Sequence, residues 1–184
     1  MYARLRNLQL RIASTVATLA VAGSALAQAV PAPDAGLGTS ADYIVRFVQY
    51  VRWPGEDTIN AWQVCIAAPG PGPDVYAGRI ARGKAFAARL VAVRDGLADC
   101  HVLDLTEAAG ADAKSLLDRA RRLAILTVGE GESFCSAGGT VCLRPRDDGG
   151  GFEINLSAAQ GSRLSVNAQL LMLGRKRQVA GGRP

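Results

Sequence analysis

Residues 62–68 read WQVCIAA and are followed by the breaker PGPGP over 69–73. The run holds one polar side chain, Gln63, and no charge, and at seven residues it is too short for an ordinary helix. Short, apolar, punctuated runs of this kind are strands covered on both faces, the pattern of a parallel sheet lying between helices. LAILTV over 123–128 is a second such run, and RLVAVR (89–94) and HVLDL (101–105) read as further strands. Helical spacing appears between them. Ser40 is an N-cap, and Ile44, Phe47, Val48 and Val51 fall at i, i+3, i+4 and i+7, predicting a helix that runs until Trp53-Pro54. Asp74 to Ala81 can make a second helix, and Leu116, Leu117 and Ala120 predict another over 112–122. Beyond 128 the character changes. Thr140–Pro145 and Phe152–Leu156 flank Arg146-Asp147-Asp148-Gly149-Gly150-Gly151, an antiparallel pair with a turn-rich connection; Ser157–Gln160 starts a helical turn and Asn167–Leu173 a final apolar helix. The expectation is an α/β fold, a compact three-layer-like sandwich with a mostly parallel sheet, an antiparallel C-terminal hairpin and two disulfides.

The first 27 residues belong to a different class. Arg4, Arg6 and Arg11 precede the apolar stretch Ile12–Val21, and Ser24-Ala25-Leu26-Ala27 ends in a small-x-small pattern. This is the layout of a cleaved signal peptide over 1–27. Its apolar core is about ten residues, against roughly 20 for a bilayer span. Residues 28–38 are rich in Pro, Ala and Gly and read as a flexible lead-in, 39–178 as a single domain, and 179–184 as a disordered tail. Removing three arginines and no acid takes the formal charge from +5 to +2, so the basic pI belongs in part to the leader. The remaining dense basic cluster, Arg175-Lys176-Arg177, sits near a ragged terminus, and no nucleic-acid partner is expected.

An exported chain with four cysteines reads as a disulfide framework, and the expected location is the periplasm. Cys135 and Cys142 are separated by a reversal containing Gly138-Gly139, which favours a local pair; Cys65 lies within one predicted strand and Cys100 at the start of another, so their bond would tie two elements. Four cysteines allow three pairings, and this is the one their positions favour. A thiol-disulfide enzyme is the rival, but neither pair has the C-x-x-C form that opens a helix and lowers a thiol pKa.

Signs of catalysis are few. His101, the single histidine, precedes Val102 in an apolar strand and reads as a hydrogen-bonded packing residue. One histidine and committed cysteines leave no zinc set, no G-x-S-x-G or G-x-G-x-x-G is present, and the prolines of PGPGP remove the amide donors a phosphate loop needs. No enzyme activity, cofactor or metal is expected. A small-ligand-binding module stays open, since parallel α/β sheets place crevices at strand ends. Glu153 alternates with Phe152 and Ile154, so it points to the opposite face, beside Asn155 on the flanking pleat. Two readings apply to it, a contact for an arginine on another protein or an acid that solubilises a strand edge. Tyr50 and Trp53 likewise read as helix-end core or as an aromatic partner pocket.

YIVRFVQYVRWP (43–54), VCIAAPG (64–70), DCHVLDL (99–105), ILTVGEGESFCSAGGTVCL (125–143), FEINL (152–156) and LSVNAQLLMLG (164–174) together resemble the YfiR family of periplasmic regulators. The resemblance implies a compact, often dimeric α/β fold with the disulfide pairing above. It also implies a partner, the periplasmic sensor domain of an inner-membrane diguanylate cyclase, held inactive and released under reducing or envelope stress or through a peptidoglycan-linked outer-membrane lipoprotein. Under the resemblance Glu153, with Val141, Phe152 and Asn155 around it, becomes a partner-binding face beside the Cys135–Cys142 loop. Arg52 in the first helix and the arginine-rich C-terminus depart from the family pattern.

Overall fold

Val64 and Ile66 pack on one face of a sheet and Cys65 and Ala67 on the other, which is why that strand carries no polar alternation. The computed structural model describes residues 38–144 and 150–180, with backbone alone from 175 on, all within the compact unit Pro33–Pro184. The expected leader, the lead-in up to Leu37, the Asp147-Asp148 turn and residues 181–184 lie outside the described residues. The chain runs through α1 (Ser40–Val48), β1 (Val51–Arg52), β2 (Trp62–Ala67), β3 (Ile80–Ala81), β4 (Lys84–Val91), β5 (Val102–Asp104), α2 (Gly110–Ala120), β6 (Leu126–Glu130), α3 (Gly131–Ser136), β7 (Val141–Leu143), β8 (Phe152–Ile154), α4 (Leu156–Gly161), β9 (Ser165–Val166) and α5 (Ala168–Ala180).

Seven strands form one sheet in the order β3-β4-β2-β5-β6-β7-β8, and β1 pairs with β9 in a separate antiparallel ribbon. The five central strands are parallel, and β3 and β8 close the two edges antiparallel. One core joins Ile44, Phe47 and Val48 of α1 and Leu170 of α5 to Trp62, Val64, Val102, Leu126, Val141 and Phe152. The other joins Leu116, Leu117 and Ala120 of α2 to Cys65, Ala67, Leu103 and Ile125. Helices on both faces of a mainly parallel sheet are the layered α/β architecture expected from the sequence.

The structure departs from that expectation in α1, over residues 73–91 and in the short α3, which no periodicity predicted. The cap of α1 is Thr39, whose hydroxyl accepts from Asp42 N–H while Asp42 accepts from Thr39 N–H. Ser40 is thereby released to bond Asp104. α1 also stops at Val48: Val51 continues the apolar stripe, but it is buried as a strand residue opposite Val166. A period-3.6 position and a strand position coincide there. Between Pro73 and Gly78 only a 3-10 turn over Pro73–Tyr76 forms, because glycines and prolines leave too little chain for a helix. A hairpin follows, turning at Arg82 (φ 52°) and Gly83 (φ 75°), so the strand predicted at 89–94 is the end of the longer β4. Arg82 is an unusual residue for positive φ, and its guanidinium is anchored by Glu56 and by the Val51 carbonyl at 2.9 Å.

Candidate functional site

β7 and β8 bring the predicted site residues onto one sheet edge. Cys142 stands opposite Glu153, and Val141 opposite Ile154. Cys142 is bonded to Cys135 near the end of α3, with Cα atoms 5.7 Å apart; the other bridge joins Cys65 of β2 to Cys100 just before β5, also at 5.7 Å. Both pairs are those the cysteine positions favoured.

α3 has only six residues, too few to persist without tertiary anchors. One anchor is the disulfide. A second is the Phe134 ring, which lies on bare backbone: a Cβ on Gly139 would sit 2.1 Å from it, and one on Gly129 2.6 Å. Gly138, at φ 95°, supplies the reversal itself. A third is Asn155. Its amide nitrogen donates to the Cys135 carbonyl at 3.0 Å, and its oxygen accepts from Ala158 N–H at 3.0 Å, capping α4. Asn155 therefore ties the disulfide segment to the helix that follows β8.

Glu153 lies on the Cys142 face of the sheet, opposite Phe152, as the alternation predicted. Its carboxylate accepts from the Arg144 guanidinium, and the two side chains are 32% and 36% exposed. The acid is thus held in place at the surface. Val141 and Phe152, expected on the partner-binding face, are instead buried at 1% and 5%. Phe152 meets the Phe47 ring edge-on at 4.9 Å, so these two residues support the face from beneath. Ile154, opposite Val141, lies with Phe152 on the core face and packs against that core partly buried, and Leu156 at the start of α4 is 42% exposed.

Trp53 is core: its indole donates to the His101 carbonyl at 3.1 Å and packs 4.9 Å from Trp62, while Tyr50 packs against the same cluster. His101 Nδ1 accepts from Gln63 N–H at 2.9 Å, and burial lowers its pKa below the usual 6.5. Both facts fit the packing role read from the sequence.

Asp104 was not singled out in the sequence, although an acid inside HVLDL is the signal that finds it. At 1% exposure its carboxylate accepts from Ser40 Oγ (3.1 Å), Tyr76 Oη (3.5 Å), Thr106 N (3.0 Å) and Thr106 Oγ1 (2.7 Å). Burial and the adjacent Asp104 charge push the Tyr76 phenol up. This network pins α1 and the 73–76 turn to the C-terminal end of β5, the usual ligand position in such sheets. Here the polar atoms satisfy one another. A crevice of about 470 Å³ opens elsewhere, lined by Leu97, Ala98, Asp118, Arg119, Arg122 and Leu123, before the N-terminal ends of β5 and β6. Among the described residues the one cluster of potential metal ligands is Cys65, Asp99 and Cys100, and both sulfurs are spent in the bridge.

The family described as YfiR/HmsC-like (DUF4154) matches residues 39–175, from the cap of α1 into α5. No individual curated protein matches the chain. The matched span contains both bridges, the β7–β8 edge and the Arg144–Glu153 pair. Fold, disulfide framework and family profile thus cover the same residues, and the chain belongs to the YfiR/HmsC-like family.

Proposed function

We propose that this chain is a periplasmic repressor that binds the sensor domain of an inner-membrane diguanylate cyclase and keeps cyclic di-GMP production low. Family membership, which supports a regulatory rather than catalytic role in the periplasm, carries the proposal. The β7–β8 edge supplies its contact. Glu153 is fixed on a strand by Arg144 and flanked on its own face by the Cys135–Cys142 bridge. A placed acid on a braced strand fits an arginine on the partner. Loosening of the bridge by reductant would free α3 and disturb that edge, which is how envelope stress would lift repression; capture of the partner-free chain by a peptidoglycan-linked lipoprotein is a parallel route.

Glu153→Lys tests the reading. With both side chains of the ion pair about one-third exposed, the variant should fold and melt near the parent. In cells carrying the cognate cyclase it should raise cyclic di-GMP several-fold. Unchanged cyclic di-GMP with a folded variant removes Glu153 from the contact.

A further inference from the structure

α5 is tied down along its first half. Asn167 N–H donates to the Tyr50 carbonyl at 2.9 Å and the Asn167 side chain accepts from Gln169 N–H at 2.8 Å. Leu170 is fully buried, and Gly174 lies so near Phe152 that a Cβ there would meet its carbonyl oxygen at 3.3 Å. From this docked stretch two large apolar side chains face outward, Met172 at 54% exposure and Leu173 at 38%. Cations follow at helical spacing. Arg175 and Lys176 stand three and four positions after Met172, and Lys176 and Arg177 three and four after Leu173, all within α5. Charge in the sequence divides in the same region. Residues 154–184 hold five cations and no acid, whereas residues 28–153 hold 13 cations and 16 acids. The chain beyond the leader, net +2, thus carries +5 in its last 31 residues. The family match ends at residue 175, so Lys176, Arg177 and Arg183 lie beyond it.

We propose that α5 docks the chain on a bilayer rich in anionic phospholipid, with Met172 and Leu173 entering the headgroup boundary and Arg175, Lys176 and Arg177 pairing with lipid phosphates. Exposed apolar residues next to clustered cations are the pattern of a helix that lies in a membrane interface. Charge complementarity selects the lipid: each Lys or Arg near an anionic surface strengthens attachment about five-fold. The apolar pair separates a bilayer from a nucleic acid, whose backbone offers charge but no apolar boundary to enter. Among the described residues no helix is long and apolar enough to cross a membrane, so α5 rests on the surface and does not span it. Glu153 points away from the sheet face that carries Phe152, against which α5 packs, so the lipid and the proposed protein partner meet different surfaces. Attachment confines the chain to the plane of an inner-membrane partner, which raises its effective concentration there.

Co-sedimentation with vesicles tests this in the absence of any cyclase, so its outcome is separate from that of the repressor reading. The purified exported chain is mixed with vesicles of phosphatidylcholine alone or of phosphatidylcholine and phosphatidylglycerol in equal parts. The parent should sediment with the mixed vesicles and not with phosphatidylcholine, and its affinity should fall as salt is raised. Arg175→Gln, Lys176→Gln and Arg177→Gln combined should weaken binding roughly 100-fold. Met172→Gln should weaken it several-fold, and both variants should keep parental circular dichroism and melting. Cations near a helix C-terminus also favour its dipole. Should the triple variant melt early, Met172→Gln and the salt dependence of the parent decide. No sedimentation with the mixed vesicles, equal binding to both compositions, or undiminished binding by a folded variant overturns the proposal. Tighter binding to a short DNA duplex than to the mixed vesicles at the same salt assigns the cations to nucleic acid and overturns it as well.

Discussion

A buried histidine that accepts a hydrogen bond is held in its neutral form, and this gives the chain a defined response to pH. Protonating His101 at Nδ1 would set a donor against the Gln63 N–H, and burial disfavours the charge as well. The folded pKa therefore lies below the 6.5 of the unfolded chain. Between the two values the unfolded state binds more protons, so stability is complete above about pH 6.5 and falls as pH drops. The carboxylates act in a lower window. Hydrogen bonding from Arg89 holds Asp99 below the usual 3.8, so its contribution is present above that value and is lost as acidity increases further. Since His101 is the only histidine, the urea midpoint should decline from pH 7.5 to 5.5 in the parent. In His101→Asn, whose oxygen can replace Nδ1 as acceptor, the decline should flatten. An equal decline in both proteins would remove His101 as its source. At this scale the sequence was informative about His101, because one polar residue in an apolar strand must be satisfied. It was less so for Asp104, whose partners come from segments 28 and 64 residues away.

Elements differed in legibility for physical reasons. Strands buried on both faces, such as β2 and β6, announce themselves by composition. The β3–β4 hairpin was hidden because its turn uses Arg82 at positive φ in place of Asn or Gly, a choice stabilised by Glu56 from another part of the chain. α3 was hidden because its stability comes from Phe134 lying on two glycines and from a disulfide, neither of which has a helical period. The bridges themselves were readable, and their settings predict different behaviour. Loop entropy alone assigns about 3.8 kcal/mol to Cys65–Cys100 and about 2.5 kcal/mol to Cys135–Cys142. In the folded protein, however, attack on sulfur depends on access. Cys65 and Cys100 are both buried in the α2-side core, whereas Cys135 is partly exposed on a short helix. Under mild dithiol reductant followed by alkylation, Cys135 and Cys142 should be labelled first, with Cys65 and Cys100 protected until global unfolding. Mass spectrometry of tryptic peptides reads the order, and early labelling of Cys65 would reverse it.

For the molecule as a whole, the α/β layering was legible because both sheet faces are covered, while the site was legible only in part. Alternation placed Glu153 on the correct face, but it could not show that Val141 and Phe152 lie under that face or that Arg144 already holds the acid. That last fact changes what a partner meets: a neutral, oriented pair instead of a lone carboxylate. Glu153→Lys disturbs both the sign of the charge and the pair, so it cannot say which one the partner reads. The exchange Arg144→Glu with Glu153→Arg separates them. It preserves an ion pair across the same two strands, and exposed pairs contribute about 0–1 kcal/mol, so the melting temperature should stay close to the parent. If the partner presents a cation to Glu153, the swapped chain should fail to co-purify with the cyclase sensor domain and should release cyclic di-GMP synthesis as fully as Glu153→Lys does. If the pair acts only to stiffen the β7–β8 edge, the swap should restore binding lost in Glu153→Lys. Binding in the swapped chain thus distinguishes an acid that is recognised from an acid that holds the edge in shape.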